Sequence, residues 1–208
     1  MAEPATPSDV DALWLATLQR ALGRASHDVK DALNGVSVNL EVIRSRSRRP
    51  DTPASGVTAF ADAATQQLER LTSLLDAVLA LGRVEREPCD VAITLRRMAA
   101  LCGASSSAAD SAVTVQETLV DDSRTSVHGT AVRLALAAPM LDAVVGARGG
   151  AQATALLCEL TGEADTLVVR LRADRPVTLP IHVAGTLRGA GVRWTEAPND
   201  LSLVFPRA

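Results

Sequence analysis

Apolar residues recur in steps of three and four at Leu18, Leu22, Ala25, Val29, Ala32 or Leu33, Val36, Leu40 and Ile43. Such steps lay side chains along one stripe of a helix, here of about 35 residues, with Ser8 or Asp9 as its N-cap. The pattern stops at residues 44–56, a basic stretch punctuated by Pro50, Pro53 and Gly56. A second stripe follows at Val57, Phe60 or Ala61, Ala64, Leu68, Leu71, Leu75, Val78 and Gly82. Two long helices joined by a short loop lie antiparallel, so residues 10–86 are expected to form a helical hairpin. A lone hairpin leaves apolar surface in water, and pairing of two copies into a four-helix bundle is the simplest remedy. Residues 1–9, rich in proline and alanine, are expected to be disordered.

The periodicity changes near residue 88, where a second domain, residues 88–208, is expected to begin. Asp90 is placed to cap a helix running to about Ala109, and VTVQETLV (113–120) alternates as a strand does. A helix is expected from Gly129 to Gly146, followed by a strand pair around 156–160 and 166–173. A short helix from Pro180 to Arg188 precedes a last hairpin that turns at Ala197-Pro198-Asn199-Asp200. The order α-β-α-β-β-α-β-β describes a small α/β sandwich with its helices on one sheet face. The fold class expected for the whole chain is therefore α+β, with no internal repeat.

Composition removes several functions. The 208 residues carry a net charge of -3 and only four aromatic rings, Trp14, Phe60, Trp194 and Phe205. Neither a basic surface nor a stacking platform for nucleic acid is available. No apolar run approaches the roughly 20 residues of a membrane helix, and the N-terminus lacks the basic and apolar regions of a secretion signal. Cys89, Cys102 and Cys158 are odd in number and outside any CxxC spacing, so they are read as reduced, buried side chains. With three scattered histidines, no metal site is expected. The chain is expected to be cytoplasmic, with no membrane and no nucleic-acid partner.

His27 lies two residues from both Ala25 and Val29. Two steps of 100° turn it away from the stripe and towards solvent, together with Gly23, Lys30, Asp31 and Asn34. On spacing alone this is an ordinary surface histidine in a polar helix face. The segment Ser26-His27-Asp28-Val29-Lys30-Asp31-Ala32-Leu33-Asn34, however, resembles the H-box of bacterial sensor histidine kinases, roughly H-[ED]-L-[RK]-[NT]-P-L-[TN]. The resemblance implies that His27 accepts a phosphoryl group. It implies that Asp28 takes the other imidazole proton, that Lys30 sits near the phosphoryl oxygens, and that Asp31 and Asn34 meet the partner. Ala32 stands where the family has proline, and Asp31 where it has Asn or Thr.

The second domain follows the element order of the kinase ATP-binding domain without its chemistry. Asp142 occupies the place of the asparagine that would hold Mg²⁺ and phosphates. The D-x-G-x-G box is reduced to Asp174-Arg175-Pro176, and Gly185 to Gly191 reads as a helix C-terminus rather than a phosphate-binding lid. The whole resembles a dimeric histidine phosphotransferase, or degenerate histidine kinase, of the ChpT type. That resemblance implies response-regulator receiver domains as partners and no cofactor of its own, with Mg²⁺ supplied by the receiver. Two other readings stay open: a binding module that sequesters a receiver or kinase, with His27 incidental, and an autokinase, which would need the missing boxes. His128 and His182 are expected to be surface or capping residues, and Arg44, Arg46, Arg48 and Arg49 a solvated turn. Trp14 is expected to anchor packing, Trp194 to lie in the core or between domains, and residues 85–89 to be a linker.

Overall fold

The computed structural model describes residues 7–49, 53, 55–81, 87–104, 113–118, 122–145 and 155–208. Two long helices, α1 (Pro7–Ser47) and α2 (Ser55–Leu81), run antiparallel as the periodicity requires. Helix α1 begins inside the stretch expected to be disordered; proline is favoured in a first helical turn, where its missing N–H costs nothing. The turn between them is tied by Arg46, which donates from Nη1 to the Gly56 carbonyl at 2.8 Å and lies over the Phe60 ring. Arg46 is therefore part of the turn's structure, while Arg48 and Arg49 face solvent.

The face that α1 buries keeps Ala25, Ala32 and Val36 of the expected stripe but is turned away from its leucines. Val10, Thr17, Ala21, Ala25, Asp28, Ala32 and Val36 are buried, whereas Leu22, Leu33 and Leu40 are exposed. Leucine and alanine stripes both recur in steps of three and four, roughly 100° apart on the cylinder. The alanines win the inner seam because small side chains let two helices approach closely. Gly35 marks that approach: a Cβ there would meet Gln67 Cγ of α2 at 3.4 Å. On α2 the same shift buries Leu74 and Ala77 and leaves Leu68, Leu75 and Leu79 outside.

The second half contains β1 (Cys89–Asp90), α3 (Val91–Ala104), β2 (Val113–Glu117), β3 (Arg124–Thr125), α4 (Gly129–Val145) and β4 (Leu156–Gly162). It closes with β5 (Thr166–Ala173), α5 (Ile181–Gly189), β6 (Arg193–Ala197) and β7 (Asp200–Pro206). The α+β class and the expected order of the longer elements are both present. The short pair β1 and β3 was not anticipated, since two-residue strands carry no period. Cys89, expected in a linker, is a fully buried member of β1, and residues 82–86 lie outside the described residues. Asp90 caps α3 as expected: its Oδ1 accepts from the Ile93 N–H at 3.0 Å and from the Ser123 hydroxyl at 2.7 Å.

The main sheet has the order β2-β4-β5-β7-β6, antiparallel except for the parallel pair β2 and β4. Leu156, Cys158 and Leu160 of β4, Leu167, Val169 and Leu171 of β5, and Leu201, Leu203 and Phe205 of β7 all point to one buried face. The other face is polar, with Arg172 bridging Glu159 and Asp200. The three cysteines are free and buried, as expected.

The two halves do not have separate cores. Val10, Ala21 and Ala25 of α1 and Leu74 and Ala77 of α2 belong to the same buried cluster as α3, α4, α5 and the sheet. Leu74→Ala is therefore expected to lower the stability of the whole chain by about 2–5 kcal/mol in one denaturant transition, read both by far-UV signal and by tryptophan fluorescence. Two transitions, only one of them displaced, would show that the halves unfold independently. Burial, with Cys102 close by, pushes the Cys158 thiol from 9.0 up to about 12. The folded state thus keeps a proton that the unfolded chain releases, so this stabilisation is complete below about pH 9 and is lost as pH rises towards 12. The chain has no tyrosine and a single lysine, Lys30, so few other groups titrate there. Cys158→Ala is expected to flatten the alkaline fall in stability measured by urea unfolding.

Candidate functional site

His27 sits near the middle of α1 on the strip opposite to the alanine seam, with its side chain 71% exposed. Its Nδ1 lies 3.0 Å from Asp31 Oδ2, one helical turn on. A neutral imidazole that gives its Nδ1 proton to this carboxylate keeps a lone pair on Nε2, pointing away from Asp31. The contact favours one tautomer of a ring that remains exposed.

The carboxylate seen at Nδ1 is that of Asp31, where the resemblance pointed to Asp28. The physical reason is angular: position i+4 shares the strip of His27, whereas position i+1 is 100° round the helix. Asp28 turns inward between Ala25 and Ala32 and is only 5% exposed. Its carboxylate still lies close, since His27, Asp28 and Asp31 bring donor atoms within 4.8 Å of one another. Those three are the side chains that the described residues gather with the chemistry of a metal ligand set. The inward place of Asp28 was readable in principle, because residues 21, 25, 28 and 32 share one helical stripe. Lys30 and Asn34 are exposed beside His27, as expected, and Val38 extends the same strip as an exposed apolar residue.

Sequence reasoning had no signal for the next feature. Arg20 Nη1 bonds Asp142 Oδ1 at 2.9 Å, and the Arg133 guanidinium lies 5.3 Å from the centroid of the Trp14 ring. Both contacts join α4 to the N-terminal half of α1. Arg20 is seven residues before His27, about 10.5 Å along the axis and nearly in line with it. The α/β half is thus docked two turns from the imidazole. Trp14 anchors packing as expected, but between the halves rather than within the hairpin alone. Trp194, half-buried on β6, packs against the core and lies beneath Arg188.

The two carboxylates that the resemblance sets at nucleotide-contacting positions differ in their surroundings. Asp142 is paired with Arg20, and Asp174 is exposed in the turn after β5. The glycine stretch after α5 closes a Schellman motif: Gly191 has φ 86, the Val192 N–H reaches the Leu187 carbonyl at 3.0 Å, and Gly191 N–H reaches Arg188 at 3.1 Å. It is a helix stop, as expected, and residues 146–154 lie outside the described residues. His128 caps α4, its Nδ1 accepting from the Thr130 N–H at 3.3 Å, and His182 is exposed. A shallow concavity of about 570 Å³ on the open sheet face includes Arg170, Arg193, Ser202 and Val204. Arg170 there is already held by Ser202 and Asp200. The concavity is on the side of the sheet away from the buried layer that meets α1.

No protein-family model matches the chain, and no curated protein does. Among solved structures, it is similar to the blue-light activated histidine kinase of Erythrobacter litoralis EL346, with 17% identity and a TM-score of 0.43 over 91% of this chain. This chain spans 59% of that protein's length. It is also similar to the histidine kinase AdeS of Acinetobacter baumannii, with 10% identity and a TM-score of 0.42 over 88% of this chain and 97% of that one. A third likeness is to a bacterial phosphotransferase, with 16% identity and a TM-score of 0.40 over 97% and 98% of the two chains. At these scores the likenesses assign no residue a role; the roles below rest on geometry.

Proposed function

We propose that this chain is a phosphorelay histidine phosphotransferase that carries a phosphoryl group on His27 between receiver-domain aspartates. The observation that carries this reading is the exposed imidazole whose Nδ1 is held by Asp31. In the transfer, the Nε2 lone pair forms the P–N bond as the acyl phosphate P–O bond breaks, and the aspartate leaves as a carboxylate. The ring becomes cationic, and Asp31 at Nδ1 stabilises that charge. Lys30, exposed on the next strip, offers its ammonium to the phosphoryl oxygens. The reverse step on a second receiver restores the neutral ring. The receiver supplies Mg²⁺, so this chain has only to position and stabilise, which is most of what phosphoryl transfer asks of a protein.

The docked α/β half argues for relay over autokinase. A kinase domain must carry ATP to the histidine, but here α4 is tied to α1 by an ion pair, a cation–π contact and a continuous core. It serves instead as a fixed wall at the N-terminal end of the strip formed by His27, Asp31, Asn34 and Val38. A second copy of the chain covers the exposed leucines: Leu15, Leu22, Leu33 and Leu40 on α1 and Leu68, Leu75 and Leu79 on α2 form a strip turned away from His27. Two such strips facing one another make a four-helix bundle with a phosphorylatable histidine on each side.

Sedimentation equilibrium is expected to show a dimer that Leu22→Asp with Leu75→Asp converts to a monomer; a monomeric wild type would remove the bundle. Transfer of label from a phosphorylated receiver to the wild type is expected, as an acid-labile, base-stable adduct. His27→Ala is expected to abolish it, a loss of at least about 10³-fold, while leaving receiver affinity within about twofold. Receiver binding without transfer, across a panel of receivers, would replace the relay with a sequestering module.

A further inference from the structure

Ligand side chains at positions i and i+4 share one helical face, the spacing that lets a helix grip a metal ion with two of them. His27 Nδ1 and Asp31 Oδ2 stand 3.0 Å apart. Two ligand atoms on one zinc-sized ion, with bonds of about 2.1 Å, lie about 3.0 Å apart at a right angle and about 3.4 Å apart at the tetrahedral angle. The pair is thus already spaced as neighbouring ligands. Asp28 supplies a third donor, since ligand atoms of His27, Asp28 and Asp31 all lie within 4.8 Å of one another. Ligands on opposite sides of such an ion are about 4.2 Å apart, so a small rotation closes the set. Asp28 is held in the helix seam at 5% exposure, and the exposed side chains of His27 and Asp31 supply that movement. Two carboxylates match the charge of a divalent ion. The imidazole selects a transition ion over Mg²⁺ or Ca²⁺, which prefer oxygen ligands throughout. Among the described residues no other His, Cys, Asp or Glu side chains gather as a set of three. His128 has one carboxylate near it, Glu87 at 3.7 Å from Nε2, and the three cysteines are buried out of an ion's reach. The scatter of the three histidines gives no sign of the set, because its other members are acids on the same helix.

We propose that His27, Asp28 and Asp31 form a site for a divalent transition ion of the zinc type, and that the bound ion closes His27 to phosphorylation. The closing rests on the phosphotransfer reading above; the site itself does not. A neutral imidazole has one proton and one basic lone pair, on different nitrogens. When the Nδ1 lone pair forms the bond to zinc, the Nδ1 proton passes through water to Nε2. Nε2 then carries a proton and has no lone pair with which to form a P–N bond. Asp31 is engaged as well, its carboxylate binding the ion instead of the ring. Metal and phosphoryl group therefore compete for one lone pair, and the ion is a stop on the relay built from the acceptor's own residues.

The test starts with Zn²⁺ alone, titrated into the full-length, unphosphorylated chain in competition with a chromogenic chelator. Asp31→Asn and His27→Ala are expected to weaken binding about tenfold or more, and Asp28→Asn about threefold. His128→Ala, outside the set, is expected to stay within about twofold of wild type. Co²⁺ in place of Zn²⁺ is expected to give a visible absorption band that Asp31→Asn removes. Binding unchanged in Asp31→Asn, or lost in His128→Ala, would overturn the site. The stop is read by labelling with phosphoramidate, a small donor that needs no receiver. With Zn²⁺ at about ten times its dissociation constant, wild-type labelling is expected to fall about tenfold and to return with EDTA. At the same Zn²⁺ the labelling of Asp31→Asn is expected to change less than about twofold, which excludes an effect of zinc on the donor. Undiminished labelling of the zinc-loaded wild type would overturn the stop and leave the relay standing. A wild type labelled by no donor would overturn the relay and the stop together, while the Zn²⁺ titration still decides the site.

Discussion

The packing of α4 against the N-terminal half of α1 is the constraint on which the rest of the structure depends. Without it, a two-helix hairpin of this composition has an inner seam made largely of alanines, and such a seam removes little apolar area from water. With it, Val10, Ala21 and Ala25 gain neighbours from the α/β core, and the hairpin becomes an arm of a larger folded unit. The polar contacts at its edge are individually weak. The Arg20–Asp142 pair is nearly half exposed on both sides and is worth at most about 1 kcal/mol. Their importance is geometric: buried apolar surface supplies the adhesion, and the ion pair with the Arg133–Trp14 contact selects one orientation.

That orientation bears on the proposed relay reading, in which the α/β half is a fixed support and not a nucleotide-binding domain. The side chain standing at the metal-binding position of the resemblance, Asp142, has been turned to holding α1. On that reading the Asp142 carboxylate has a use in the contact between α4 and α1 that calls for no nucleotide.

Much of this architecture was legible in the residues, and the exceptions have physical causes. Steps of three and four placed α1 and α2, alternation placed β4, β5 and β7, and Asp90 and Gly191 marked a helix start and stop. The expected stripe of α1 mixed leucines with Ala25, Ala32 and Val36, because both kinds recur in steps of three and four. In the structure, close helix approach gives the seam to the alanines and leaves the leucines facing outward. Periodicity reports that an apolar face exists; it does not say which of two adjacent faces meets which neighbour. The same rotation hid the burial of Asp28 and the pairing of His27 with Asp31. The Arg20–Asp142 contact had no local signal, because it joins elements far apart in the chain.

The outward strip around His27 survives this rotation because it lies well away from both apolar stripes. On the proposed relay reading, a histidine that meets two different partners in turn has to be exposed, yet an exposed imidazole is free to rotate and to exchange tautomers. Asp31 resolves that conflict with a contact one turn away, which costs no burial and needs no partner. A carboxylate at Nδ1 also loads the equilibrium: it favours the cationic phosphorylated ring while the phosphoryl group is in place, yet is too exposed to trap it. A carrier must hold its cargo about as tightly as the groups on either side of it. A solvent-exposed imidazole–carboxylate pair on a rigid helix meets that requirement better than a deep pocket, which would stabilise one phosphorylated state at the expense of onward transfer.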